Sequence, residues 1–151
     1  MASGAFDVVW ASAVVHHLPD LAIACAECRR VLRPGGRLLV RGFFPDRSTV
    51  PWLDHLPGAE RARARFPTVT RLVAALRAAG FAVVDVVDVS EPTRASARRH
   101  AEWIATMRHA DSLLTALHDD EIAAGIAALR RLGDRLLPPL ALTLVTAEAS
   151  R

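Results

Sequence analysis

Apolar positions along this chain fall into short strand-like runs separated by stretches of helical period. Phe6-Asp7-Val8-Val9-Trp10 combines β-branched and aromatic residues in a short apolar run, which predicts an interior strand buried on both faces of a parallel sheet. Downstream, Leu21, Cys25, Cys28 and Leu32 recur at helical spacing, while Glu27, Arg29 and Arg30 lie mainly off that stripe. A helix is therefore expected from about Leu21, with Asp20 after Pro19 as its N-cap. Arg33-Pro34-Gly35-Gly36 cannot continue it, because proline lacks the N–H and the glycines supply the freedom that a tight reversal needs. Leu38-Leu39-Val40 follows as a second strand, and two strands joined through a helix make a parallel βαβ crossover.

The pattern then breaks. Residues 43–67 carry prolines at 45, 51, 57 and 67 and no sustained period, which predicts a long loop or lid with one helical piece over Ala59 to Phe66. Thr68 caps a helix whose face is Val69, Leu72, Val73 and Leu76 and whose end is Gly80. Phe81 to Val89 reads as an edge strand, since Asp85 and Asp88 an odd step apart would fall on opposite faces. Residues 93–137 are helical in pattern: Arg94 to Arg108, Ser112 to Leu117, and a third helix opening at Asp119-Asp120, striped by Ile122, Ile126, Leu129 and Leu132 and closed by Gly133. After Pro138-Pro139, the alternation of Leu140, Leu142 and Leu144 gives the final strand, ending near Glu148.

Composition narrows the class. With 151 residues, 52% of them apolar, one domain with a real core is the default, and no run reaches the roughly 18 apolar residues of a membrane span. A soluble, cytoplasmic protein is expected. The net charge of +3 comes from arginine alone, as the chain contains no lysine. Arg61, Arg63 and Arg65 alternate with alanine and Arg94, Arg98 and Arg99 share a helical stretch, but no nucleic-acid-binding motif accompanies them, so nucleic acid is not the favoured partner. Cys25 and Cys28 form a C-x-x-C pair inside a helix, on its apolar side, whereas redox pairs sit at helix N-termini and a zinc site would need two further ligands. They are expected to be buried structural thiols, and no metal site is expected.

The runs FDVVWASAVVHHLPD and RRVLRPGGRLLV together resemble the second half of a class I S-adenosylmethionine-dependent methyltransferase domain of the type-11 group. The resemblance implies an α/β fold: a partial Rossmann-like methyltransferase sheet, strands four to seven, with helices on both faces and a helical insertion (93–137) before a last strand that enters antiparallel beside the fifth. It also implies S-adenosylmethionine as cofactor and methyl transfer to a small-molecule acceptor. Ala11 and Ser12 match family positions facing the methionine part of that cofactor. His16 and His17 lie on the same sheet edge, and histidine's ordinary titration near neutrality suits a general base. Phe43, Trp52 and His55 are candidates to line the acceptor site, and His55 and Asp54 are weaker candidates for the base. Family members carry a Gly-x-Gly-x-Gly loop and an acidic ribose-binding residue on earlier strands, and no Gly-x-Gly-x-Gly occurs in this sequence. The expectation is a single truncated domain, residues 1–151, inactive alone because the Gly-rich cofactor loop is absent. The alternative is a non-catalytic fragment that pairs through Phe6 to Trp10, as a homodimer or with a complementary N-terminal fragment.

Overall fold

The computed structural model describes residues 3–91 and 95–150, so Thr93 and Arg94 of the expected helical stretch lie outside the described residues. Its contacts divide the chain into two units, a sheet unit of Met1–Ser48, Pro67–Val89 and Leu142–Arg151 and a helical unit of Thr49–Phe66 and Ser90–Ala141.

In the sheet unit four strands, β1 (Phe6–Ser12), β2 (Leu32–Gly42), β3 (Phe81–Glu91) and β4 (Leu140–Ala149), lie in the order β1-β2-β4-β3. β1 runs parallel to β2, and β4 enters antiparallel between β2 and β3, with Val40 opposite Val145. Helices α1 (Leu21–Val31) and α3 (Val69–Ala78) start where the sequence placed them, because Asp20 accepts from the N–H groups of Ala22 and Ile23 and Thr68 from that of Arg71. Both pack on one face of the sheet. There Leu21, Cys25, Leu72 and Leu76 meet Leu38, Val40, Val145 and Ala147 in one buried core, with Val9 and Ala11 of β1 at its margin.

Two expectations need correction. β1 is an edge strand, not an interior one: among the described residues it pairs only with β2, and Phe6, Val8 and Trp10, on the face away from α1, are 42%, 50% and 55% exposed. The strict alternation of β3 also fails. Val83 and Val86 both pack on the core although an odd step separates them, and between them the Asp85 carboxylate accepts from the N–H of Val86. The strand slips by one residue there, which turns Asp88 to the side of the buried Thr143, whose hydroxyl donates to it.

The helical unit contains α2 (Ala59–Arg63), α4 (Ala97–Met107) and α5 (Asp119–Leu132). The segment expected to be helical over Ser112 to Leu117 is reduced to a 3-10 turn at Leu114–Ala116, and a second such turn stands at Leu53–His55. α4 is capped by Ser96, which accepts from the N–H of Arg99. α5 is capped by His118 rather than by the aspartates, which occupy its first turn, where negative charge suits the helix dipole. Gly125 lets Leu56 approach: a Cβ there would stand 2.4 Å from Leu56 Cγ. Trp52 is buried with its ring 5.3 Å from that of Trp103. His100 is half-buried, which lowers its pKa.

Candidate active site at the carboxyl end of the first strand

Ligands of open α/β sheets bind beyond the carboxyl ends of parallel strands, and here β1 and β2 end level with each other. Ala11 lies opposite Val40 and Ser12 opposite Arg41, and the N–H of Ala13 donates to the carbonyl of Arg41 at 2.9 Å as the last rung. The chain then leaves the sheet abruptly. Ala13 has φ 52°, and it is the one non-glycine residue of positive φ among those described. Sequence patterning gave no sign of it, since alanine carries no preference for that region.

A 3-10 turn, Val15–His17, follows. Val15 is buried in the core, the N–H of His17 donates to Val14, and Asp20 immediately beyond caps α1, so the turn is held at both ends. His16 is half-buried and His17 exposed, with ring centroids 4.0 Å apart and planes tilted by 45°. Ala11, Ser12, His16 and His17 thus share one short stretch at one sheet edge. Small side chains at Ala11 and Ser12 leave the strand end accessible to a ligand, as Ser12 is exposed and Ala11 half-buried.

β2 reaches the same edge and continues into Phe43 and Phe44, both buried. Beyond them Asp46 accepts from the N–H of Val69 and Thr70, adding a second cap to α3. Ser48 Oγ accepts from the N–H of Phe44 and lies 3.1 Å from the Thr143 hydroxyl, and Arg47 makes a two-pronged ion pair with Asp88. The Arg47 guanidinium, helped by Thr143, holds the Asp88 carboxyl below its ordinary range. This network was not legible in the sequence, because its members are 41 to 95 residues apart. Phe43 therefore belongs to the sheet unit with the histidines, whereas Trp52 and His55 belong to the helical unit. There Trp52 packs on Trp103, His55 is half-buried and Asp54 is ion-paired with Arg63.

Cys25 and Cys28 are both free thiols. Burial, with a smaller contribution from Cys28, pushes Cys25 up to about 11, and burial raises Cys28 as well. Neither is a nucleophile at neutral pH. Among the described residues no group of three His, Cys, Asp or Glu could hold a metal ion, and no helix is long and apolar enough to cross a membrane.

Known proteins resemble this chain in sequence and in fold. The methyltransferase domain family matches residues 1–40, which run from before β1 through the parallel pair to Val40. The 27-O-demethylrifamycin SV methyltransferase of Amycolatopsis mediterranei is 39% identical over 110 residues, covering 68% of this chain and 39% of its own length. Methyltransferase GfsG of Streptomyces halstedii is 31% identical over 151 residues, covering 97% of this chain and 51% of its own. Among solved structures, the [4+2]-cyclase SpnF superposes with a TM-score of 0.58 at 27% identity, covering 99% of this chain and 53% of the cyclase. The chain thus spans about half the length, or less, of the curated relatives named here. Parallel strands ending in the His-His turn, an antiparallel strand inserted beside them, and these likenesses together support a class I S-adenosylmethionine-dependent methyltransferase domain.

Proposed function

We propose that this chain supplies the acceptor-facing part of a site that transfers a methyl group from S-adenosylmethionine to a hydroxyl of a small molecule. The observation that carries the reading is the cluster of Ala11, Ser12, His16 and His17 at the carboxyl end of a parallel strand, on a turn fixed by Val15 and Asp20. Ala11 and Ser12 fit the methionine end of the cofactor, since their small side chains leave backbone and hydroxyl open to it. When bound, the cofactor supplies an electrophilic methyl group on a sulfonium. The protein's own work is to position an acceptor oxygen and to take its proton. His17, exposed on the turn, is the proposed general base, with the His16 ring against it fixing its position. Phe43, at the end of the neighbouring strand, is proposed to contribute an apolar wall. An oxygen acceptor is favoured by the Amycolatopsis relative, whose name records an O-demethylated substrate. A reducing, cytoplasmic setting accords with the two free thiols.

The test is transfer of labelled methyl from S-adenosylmethionine to small hydroxyl acceptors by the complete native polypeptide. His17→Ala is expected to lower kcat by about 10²- to 10⁴-fold with little change in the KM for the cofactor. An unchanged kcat and pH profile would remove His17 from the mechanism, and no transfer to any acceptor would sink the reading. A second reading follows from the 27% likeness to a [4+2]-cyclase, because that reaction joins carbon atoms without moving a methyl group. Conversion of a polyene substrate without methyl transfer would select it.

A further inference from the structure

The slip in β3 delivers one side chain to the core face. Counted from Val83, strict alternation would put Asp88 on the face away from the core. The slip at Asp85 puts it instead on the face of Val86, where the Thr143 hydroxyl donates to its Oδ1 at 3.1 Å. Thr143 is wholly buried on β4 and stands opposite Gly42, the residue before Phe43. Its hydroxyl has one proton and a carboxylate only accepts, so that proton lies toward Asp88. The Thr143 oxygen is left to accept from Ser48 Oγ, 3.1 Å away. Ser48 Oγ in turn accepts from the N–H of Phe44 at 2.9 Å and lies 3.4 Å from the carbonyl of Gly42. Every donor thus points one way, from Phe44 through Ser48 and Thr143 to Asp88, and Arg47 closes the far end with two N–H bonds of 3.1 and 3.0 Å. In such a chain each bond polarises the next, so the charge at Asp88 is felt at the Phe44 amide.

We propose that Asp88 is a positioning residue of the acceptor site: acting through Thr143 and Ser48, its carboxylate fixes the peptide groups on both sides of Phe43 and so sets where that ring stands at the carboxyl end of β2. The role of Phe43 as an acceptor wall rests on the methyltransferase reading, whereas the relay itself does not. The turn is also closed by the Phe44 carbonyl, which accepts from the N–H groups of Arg47 and Ser48 at 3.0 and 2.7 Å. Arg47 and Asp88 are 40% and 39% exposed, and an ion pair so open to water adds little to stability. What the relay supplies is order at one place. A displacement of about 1 Å in a group that positions a reactant costs up to about 10²-fold in rate, which is why such a wall needs anchoring.

The relay is read by hydrogen exchange of the Phe44 amide, with Ala24, bonded to the Asp20 carbonyl in α1, as the internal standard. Asp88→Asn removes the charge at an exposed position, and Thr143→Val keeps the shape of the side chain and loses its hydroxyl. Each is expected to speed exchange at Phe44 by about tenfold or more while Ala24 stays within about twofold. In the labelled-methyl assay on the complete native polypeptide, each should raise the KM for the acceptor by about tenfold. The KM for S-adenosylmethionine should stay within about twofold, and kcat should fall by less than the acceptor KM rises. Thr143→Ser restores the hydroxyl and should bring both readouts to within about threefold of the parent. Unchanged exchange at Phe44, equal acceleration at Phe44 and Ala24, or a loosened Phe44 with an unmoved acceptor KM would each overturn the proposal. If Thr143→Val does not fold, Asp88→Asn decides by the same readouts. A parent that methylates no acceptor sinks the proposed function, and the Phe44 amide then upholds or overturns the relay by itself.

Discussion

At the scale of single residues the candidate site is shaped by Ala13, the alanine with φ 52° that turns the chain out of β1. A Cβ in the left-handed region costs about 1–2 kcal/mol, and glycine at the same position costs about 0.5–1 kcal/mol in extra unfolded-chain freedom. Ala13→Gly is therefore expected to leave stability within about 0.5 kcal/mol of the parent, since the two effects offset. Ala13→Val should lose about 1–2 kcal/mol, because a β-branched side chain is least tolerant of that conformation. Urea unfolding of the pair measures both, and a tolerated valine would mean that the turn relaxes. The thiols give a second measurement. With Cys25 raised from 9.0 to about 11, only roughly one molecule in a thousand carries its thiolate at pH 8, against about a tenth for an ordinary thiol. The group stays protonated up to that pKa, so alkylation of the native chain at pH 8 should be slower by about 100-fold than after unfolding. Rapid native modification or ready disulfide formation would restore a redox role to the C-x-x-C pair.

At the scale of elements, the clearest packing constraint is the crossing of α5 over Leu56. Alanine is a better helix former than glycine by about 1 kcal/mol, so Gly125→Ala would stabilise an isolated α5. In the folded chain its Cβ would stand 2.4 Å from Leu56 Cγ and 3.3 Å from Leu56 Cα, and the second of these is backbone that cannot swing aside. A net loss of about 1–3 kcal/mol is expected from overpacking, partly rescued by Leu56→Ala, as read by Trp52 and Trp103 fluorescence during denaturation. A stabilised single variant would show that Leu56 and α5 are not in contact as described. The same comparison separates what was legible in the sequence from what was not. α1 and α3 were readable, because Asp20 and Thr68 cap locally and the apolar stripes repeat at fixed period, whereas the antiparallel entry of β4 was legible only through the family resemblance. The cap of α5 was misplaced because an acidic pair after His118 serves the first turn as well as it would serve a cap. The β3 slip at Asp85, the reach of Asp46 to the start of α3, and the Ser48-Thr143-Asp88-Arg47 chain depend on tertiary neighbours that no window of sequence contains.

At the scale of the whole molecule, an excess of +3 carried by arginine alone invites a nucleic-acid reading, and the placement of the charges answers it. Arg61 pairs with Glu121, Arg63 with Asp54 and Glu60, Arg98 with Asp134, Arg108 with Asp119, Arg33 with Asp7 and Arg30 with Glu27. The alternating run at Arg61, Arg63 and Arg65 is thus largely neutralised within its own unit, and it forms no stripe that could follow a phosphate backbone. Most of these pairs are exposed and add little to stability, but each cancels a charge that would otherwise release a counterion from DNA. With a net excess of only +3, the affinity for a duplex of about 20 base pairs should be no tighter than about 10⁻⁴ M at near-physiological salt, with a shallow salt dependence. Fluorescence anisotropy across a salt series measures both quantities. Binding near 10⁻⁶ M with a steep slope would show that the arginines abandon their carboxylates for phosphate, and would move the proposed acceptor from a small molecule to a nucleic acid.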